Sequence, residues 1–164
     1  MIYGGTTRLV FENCENSGIV EASGRTDVIV SGAQAGGIVG EAIVSALEIR
    51  NCRNTGAVRG FAVCGGILGE AKPERDVQET TLLVADCVNS GSVYVVNPGG
   101  LTTELYAGGM VAQCPLAEIT DELLPMFTDL RIEDCRNTGT LDGDREGGTL
   151  CRDDLCGSWQ SSLE

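Results

Sequence analysis

The chain has 164 residues, with 11 Lys and Arg against 24 Asp and Glu for a formal net charge of −13; it carries 23 glycines and 8 cysteines, and no histidine. The missing histidine excludes His-based triads, His general bases and every His-containing metal motif, and the acidic balance argues against nucleic acid, whose binding requires a basic footprint. No apolar run approaches the ~20 residues needed to span a bilayer, and the length suits one domain.

In chain order, Tyr3-Gly4-Gly5 reads as the tail of a repeat unit, and a complete unit follows. Leu9 to Val20 (LVFENCENSGIV) recurs as Leu47 to Val58 (LEIRNCRNTGAV), Leu82 to Val93 (LLVADCVNSGSV) and Leu130 to Leu141 (LRIEDCRNTGTL). A second signature follows each: Gly36-Gly37-Ile38-Val39-Gly40, Gly65-Gly66-Ile67-Leu68-Gly69, Gly108-Gly109-Met110-Val111 and Gly147-Gly148-Thr149-Leu150. The copies occupy about 9–40, 47–69, 82–111 and 130–150. Their cysteines, and the asparagines two places on, recur at intervals of 38, 35 and 48 residues. Irregular spacing of a fixed string is what a solenoid tolerates, because extra residues leave as loops while strands keep register.

Within one unit, Leu47 and Ile49 alternate with Glu48 and Arg50, as in a half-buried strand. The step from Ile49 to Cys52 breaks that alternation and predicts a bend at Asn51. Asn54-Thr55-Gly56 is turn chemistry, with Asn tolerating and Gly freely supplying a left-handed conformation. Two further short strands are expected near Ala57 to Ala62 and Gly66 to Glu70, so that three strands and tight bends make one coil. The glycine pairs are read as places where a Cβ would clash. The predicted fold is therefore an all-β parallel β-helix, or β-solenoid, over residues 1–151. It has about four coils, a partial N-terminal coil and one short helical insertion. An antiparallel sandwich gives no reason for one string to recur in each unit. In the solenoid, equivalent residues stack ~4.8 Å apart. Leu9, Leu47, Leu82 and Leu130 form one interior column, Phe11, Ile49, Val84 and Ile132 the next, and Asn16, Asn54, Asn89 and Asn137 a ladder of amides.

The loops differ between units. Glu21 to Ala35 and Tyr94 to Ala107 read as long insertions, Arg59 to Cys64 and Asp142 to Glu146 as short ones. Ala71 to Thr81 is a polar connection carrying Lys72, the single lysine. Residues 115–129 space Leu116, Ile119, Leu123 and Phe127 as on an amphipathic helix that covers a sheet edge or meets a partner. Residues 152–164, with the single tryptophan Trp159, read as a cap. Met1 to Val10 has neither the basic start nor the apolar stretch of a secretory signal, and the start inside a repeat suggests a segment of a longer array.

Eight cysteines invite a disulfide framework. Four of them, Cys14, Cys52, Cys87 and Cys135, fall in one interior column, where parallel Cβ vectors favour reduced, buried thiols. Cys64, Cys114, Cys151 and Cys156 are off the pattern and free to pair; Cys151 aligns with Gly40, Gly69 and Ala112. There is no C-x-x-C, and Asp142-Gly143-Asp144-Arg145-Glu146 lacks the ligand spacing of an EF-hand, so it reads as a solvated acidic turn, with no metal or cofactor expected.

The paired signatures, on Asn16-Ser17-Gly18 and Asn54-Thr55-Gly56 with the two full G-G-[IL]-[VL]-G strings, resemble the GLUG-motif repeats of bacterial surface proteins. Ala112 and Cys151 depart from the pattern in the third and fourth copies. Such repeats occur in large exported proteins, including IgA-specific metallopeptidases and adhesin-like proteins. The resemblance implies a non-catalytic stalk or adhesive segment, cell-surface or secreted, whose partners are a host glycan, a host protein or neighbouring repeats of a longer array. The alternative is a polysaccharide lyase or hydrolase on a β-helix, for which Asp27, Glu104 and Arg25 in the long loops are the candidate carboxylates and cation. Thiol redox or metal chemistry at the off-pattern cysteines is a third possibility.

Overall fold

A computed structural model describes residues 7–23, 34–74, 77–97, 104–114, 127–144 and 149–153. The first coil comprises β1 (Arg8–Glu12), β2 (Glu15–Asn16), β3 (Val20–Glu21), β4 (Gln34–Gly36) and β5 (Val39–Val44). The second repeats it as β6 (Ala46–Arg50), β7 (Arg53–Asn54), β8 (Val58–Phe61), β9 (Val63–Gly65) and β10 (Leu68–Pro73). The third follows as β11 (Thr81–Ala85), β12 (Val88–Asn89), β13 (Val93–Val96), β14 (Glu104–Gly108) and β15 (Val111–Gln113). The fourth adds β16 (Asp129–Glu133), β17 (Arg136–Asn137), β18 (Leu141–Gly143) and β19 (Thr149–Asp153).

Every strand pairs in parallel with its counterpart one coil away, giving the sheet orders β1-β6-β11-β16, β2-β7-β12-β17, β3-β8-β13-β18, β4-β9-β14-β19 and β5-β10-β15. This is the all-β, parallel solenoid architecture. A coil has five strands, not three, because the second repeated string supplies strands on both sides of the glycine pair and the Asn lies in a two-residue strand of its own. The inserted loops are correspondingly narrower than read from the sequence, since β3 takes Glu21, β13 takes Tyr94 to Val96 and β14 takes Glu104 to Gly108.

The predicted bend is real and has a defined cause. Asn13, Asn51, Asp86 and Asp134 occupy the left-handed region, with φ of 57°, 49°, 53° and 52°. Asn and Asp are the non-glycine residues that tolerate it best, which explains the [ND] before each column cysteine. The glycine of N-[ST]-G has a different purpose from the expected one: Gly18, Gly56, Gly91 and Gly139 do not take left-handed backbone. A Cβ on Gly56 would instead lie 1.9 Å from the carbonyl oxygen of Gly18, and Gly91 and Gly139 stand in the same relation to Gly56 and Gly91.

Side chains pointing into the coil make two adjoining apolar clusters. One centres on Leu47, Ile49, Ile67, Leu68, Leu82, Val84 and Met110, the other on Val58, Cys64, Val93, Val95 and Leu105. The register pairs Leu9, Leu47, Leu82 and Leu130, and beside them Phe11, Ile49, Val84 and Ile132, as the repeat requires. A hydroxyl column lies at the entry to these strands: Ser45 Oγ donates to the Thr7 carbonyl (3.0 Å), and Thr80 N–H donates to Thr128 Oγ1 (3.0 Å) while Thr128 Oγ1 donates to the Thr80 carbonyl (2.8 Å).

Several expectations are corrected or lie elsewhere. No helix occurs among the described residues; residues 115–126 of the expected helical insertion are outside them, and the remainder is not helical, since Thr128 N–H and Asp129 N–H both donate to the Thr80 carbonyl as β16 begins. The described strand of the fourth copy does not keep the register that its glycine string implies. Strand pairing aligns Gly36, Gly65 and Gly108 with Asp153, and Cys151 with Tyr106, not with Gly40, Gly69 and Ala112. Alignment of the glycine strings alone does not detect this register. Tyr3-Gly4-Gly5 and residues 154–164 of the expected cap lie outside the described residues, while Arg152 and Asp153 belong to β19.

Candidate functional site

The repeated polar residues build contacts between coils. Asn16 Nδ2 donates to Asn54 Oδ1 (2.8 Å), Asn54 Nδ2 to Asn89 Oδ1 (2.8 Å) and Asn89 Nδ2 to Asn137 Oδ1 (2.9 Å). The second amide hydrogen of each goes to the glycine carbonyl two residues on, at 3.0 Å for Gly18, 2.9 Å for Gly56 and 3.0 Å for Gly91. Asn54 and Asn89 are fully buried, so the ladder satisfies polar groups that have no access to water.

The cysteine column is reduced at Cys14, Cys52, Cys87 and Cys135, and so is Cys64. Cys52 Sγ donates to the Arg50 carbonyl (3.2 Å) and Cys87 Sγ to the Ala85 carbonyl (3.1 Å), tying each thiol to its own bend. Burial holds the Cys52 thiol above its ordinary value, and Cys87 is pushed up first by its hydrogen bond with the Cys135 thiol and then by burial. Burial raises Cys64 from 9.0 to about 12. Cys114 is buried too; Cys151 lies in β19 and Cys156 outside the described residues.

These thiols make the fold sensitive to alkali. An unfolded chain loses the Cys64 proton near 9, whereas the folded chain keeps it to about 12. Between those values the unfolded state binds fewer protons, so stability is full below pH 9 and falls as pH rises towards 12. Urea midpoints measured across this window should decline, and the decline should be shallower in Cys64→Ala. An unchanged slope would assign the alkaline sensitivity elsewhere.

Of the residues proposed for a polysaccharide-cleaving site, Asp27 and Arg25 lie outside the described residues, and Glu104 opens β14. A different acidic group is brought together, on the outer side of β5 and β10. Glu41 and Glu70 are register partners in adjacent coils. Lys72 Nζ lies 2.8 Å from Glu70 Oε2 and 3.4 Å from Glu41 Oε1, and Gln34 Nε2 donates to the same Glu70 oxygen (2.5 Å). The carboxylates are nearly sealed, with side chains 10% and 6% exposed, while that of Lys72 is 38% exposed. Burial works against the ammonium, but hydrogen bonding and attraction to Glu70 and then Glu41 outweigh it and hold Lys72 protonated. The signal was present in the sequence: Glu41 and Glu70 each follow the last glycine of a G-G-[IL]-[VL]-G string, so they must stack, and two stacked carboxylates need a cation.

The arrangement is an ion group in which two acids share one base. Lys72→Met should destabilise by about 1 kcal/mol, less than for a fully buried pair because the ammonium retains water. Part of that loss should return in Lys72→Met combined with Glu70→Gln, measured as a double-mutant cycle; additive losses would show that the three side chains do not interact.

A second polar group lies on β8, β13 and β18, next to the inserted loops. The Arg59 guanidinium stands 5.6 Å from the centre of the Tyr94 ring, and Tyr94 Oη donates to Asp144 Oδ1 (2.8 Å). That hydrogen bond is the main cause holding the Tyr94 phenol above its usual range. Asn97 N–H donates to the other Asp144 oxygen (3.0 Å). Asp144 is therefore not part of a solvated turn: its carboxylate ties the end of β18 to the start of the loop after β13. No group of three or more acidic, thiol or imidazole side chains able to hold a metal ion occurs among the described residues.

No family model, curated protein or solved structure matches the chain. The site is accordingly read from its own geometry.

Proposed function

We propose that the chain is a non-catalytic repeat module of a bacterial cell-surface or secreted protein, a stalk whose loops meet a host glycan or protein. The reading rests on how the recurring side chains are used. Leucine, cysteine, asparagine and glycine recur in all four coils, and all but Gly18 are consumed by packing or by bonds to a described neighbouring coil. What varies from coil to coil is the connection between the third and fourth strands and the one that leads from each coil to the next, and a rigid scaffold with variable loops is how repeat proteins present binding surfaces. The resemblance to GLUG-motif repeats points the same way.

Replacing residues 98–103 with a two-residue turn tests this, because Asn97 and Glu104 bracket the loop and the strands on either side are kept. Binding to a panel of glycans and epithelial surface proteins should be present in the parent and lost in the shortened chain, with the melting temperature held. Cleavage of a polysaccharide by the parent, abolished by Asp27→Asn, would replace this reading with that of a lyase or hydrolase.

A further inference from the structure

The N-terminal side of the first coil carries three features that match the seams between coils, although none of them is used within the described chain. Leu9, Phe11 and Cys14 are half-buried, whereas their register partners Leu47 and Ile49 and the equivalent Cys52 are sealed. The amide ladder is polar along the axis: Asn54 Oδ1 and Asn89 Oδ1 each accept from the preceding coil. Asn16 Oδ1 occupies the same place, and its described donor is the Gly18 N–H of its own coil (3.2 Å). Gly18 is the third feature. At Gly56, Gly91 and Gly139 a side chain is forbidden by the glycine carbonyl of the preceding coil, 1.9 Å from the Cβ position, but among the described residues a Cβ on Gly18 would meet just Asn16 Oδ1, at an ordinary 3.7 Å. The glycine leaves a notch shaped for an incoming carbonyl.

The other end of the same molecule supplies such a carbonyl. Gly139 is next in the glycine series, and Leu130, Ile132 and Cys135 around it are half-buried like their N-terminal counterparts. Continuing the register would set Asp129 beside Arg8 and Arg136 beside Glu15, two pairs of opposite charge. It would also oppose Glu133 to Glu12 and Asp142 to Glu21, and the chain carries −13 overall.

We propose that the N-terminal face of the first coil docks the C-terminal coil of a second copy, so that copies add head to tail and the parallel sheets run on from one molecule into the next. Such a contact joins unlike faces and does not close on itself, so it yields open chains of copies. The charge pairs at the contact balance, but copies of net charge −13 repel one another, so the association is stronger in high salt. This assembly does not depend on what the loops bind.

Sedimentation velocity of the full chain in about 1 M NaCl, where charges are screened beyond ~3 Å, tests it directly. The weight-average mass should rise by more than about twofold between micromolar and ~100 µM protein, passing beyond the dimer. Gly18→Ala should melt at the parent temperature and weaken association at least about tenfold, because the methyl group occupies the notch. Glu15→Arg, an exposed change that sets like charges against Arg136 of the incoming copy, should weaken it several-fold independently of that notch. A monomer at every concentration, a species that stops at the dimer, or association indifferent to both substitutions would overturn the proposal.

Discussion

Gly91→Ala should be among the most damaging single substitutions available in this protein, costing about 3 kcal/mol or more. The added Cβ would lie 1.9 Å from the Gly56 carbonyl oxygen and 2.7 Å from its carbon, both backbone atoms of the coil beneath. Neither can move without separating two coils that are bonded at every strand, so the strain cannot be relieved by rotating a side chain. A third contact, 3.0 Å from Asn54 Nδ2, falls on the amide ladder itself. The same substitution at Gly18 adds the same methyl group and should change stability by a few tenths of a kcal/mol, since no carbonyl of the described residues stands opposite. Urea titration of the two variants isolates the close approach from the intrinsic preference of alanine over glycine. Similar losses at both positions would place the cause in local backbone conformation instead of coil spacing.

Asn54→Ala should cost about 2–3 kcal/mol, against about 1 kcal/mol for Asn16→Ala. Asn54 is completely buried, and its removal strands Asn16 Nδ2 on one side, Asn89 Oδ1 on the other and the Gly56 carbonyl of its own turn. The alanine methyl satisfies none of them, and those of Asn89 and Gly56 are buried. Asn16 is partly exposed and has a described coil on one side, so water replaces part of what is lost. The comparison is best made by denaturant midpoint with the slope checked for constancy. Equal costs would mean that the amides do not act as a continuous ladder.

The two substitutions probe the same interface from its two halves, backbone and side chain. Both depend on a coil-to-coil distance set by strand pairing, and both weaken at Gly18 and Asn16, which have a described coil on one side. That contrast between inner and terminal positions distinguishes a stacked solenoid from a sandwich, in which the repeats would not be in mutual contact through equivalent atoms.

Much of this architecture is legible in the chain itself. A string that recurs four times specifies which residues stack, so the leucine, isoleucine and cysteine columns and the asparagine ladder follow from alignment alone; the bend at Asn51 follows from the broken alternation. Glu41 and Glu70 at one offset from their glycine strings, and Thr7, Ser45, Thr80 and Thr128 two places before each column leucine, were equally readable signals of stacked polar columns. Repetition converts sequence position into spatial neighbourhood because parallel strands in register place equivalent residues one strand spacing apart. What required the tertiary structure is whatever a repeat does not encode. The number of strands per coil depends on which bends break hydrogen bonding, the register of β19 departs from the one its glycine string implies, and the sharing of Lys72 between Glu70 of its own strand and Glu41 of the preceding coil depends on where a side chain reaches. The purpose of Gly56, Gly91 and Gly139 belongs to the same class: glycine in a turn motif suggests a left-handed residue, yet here the backbone is ordinary and the demand comes from a carbonyl 35 or more residues away in sequence, brought within contact by the stacking of coils.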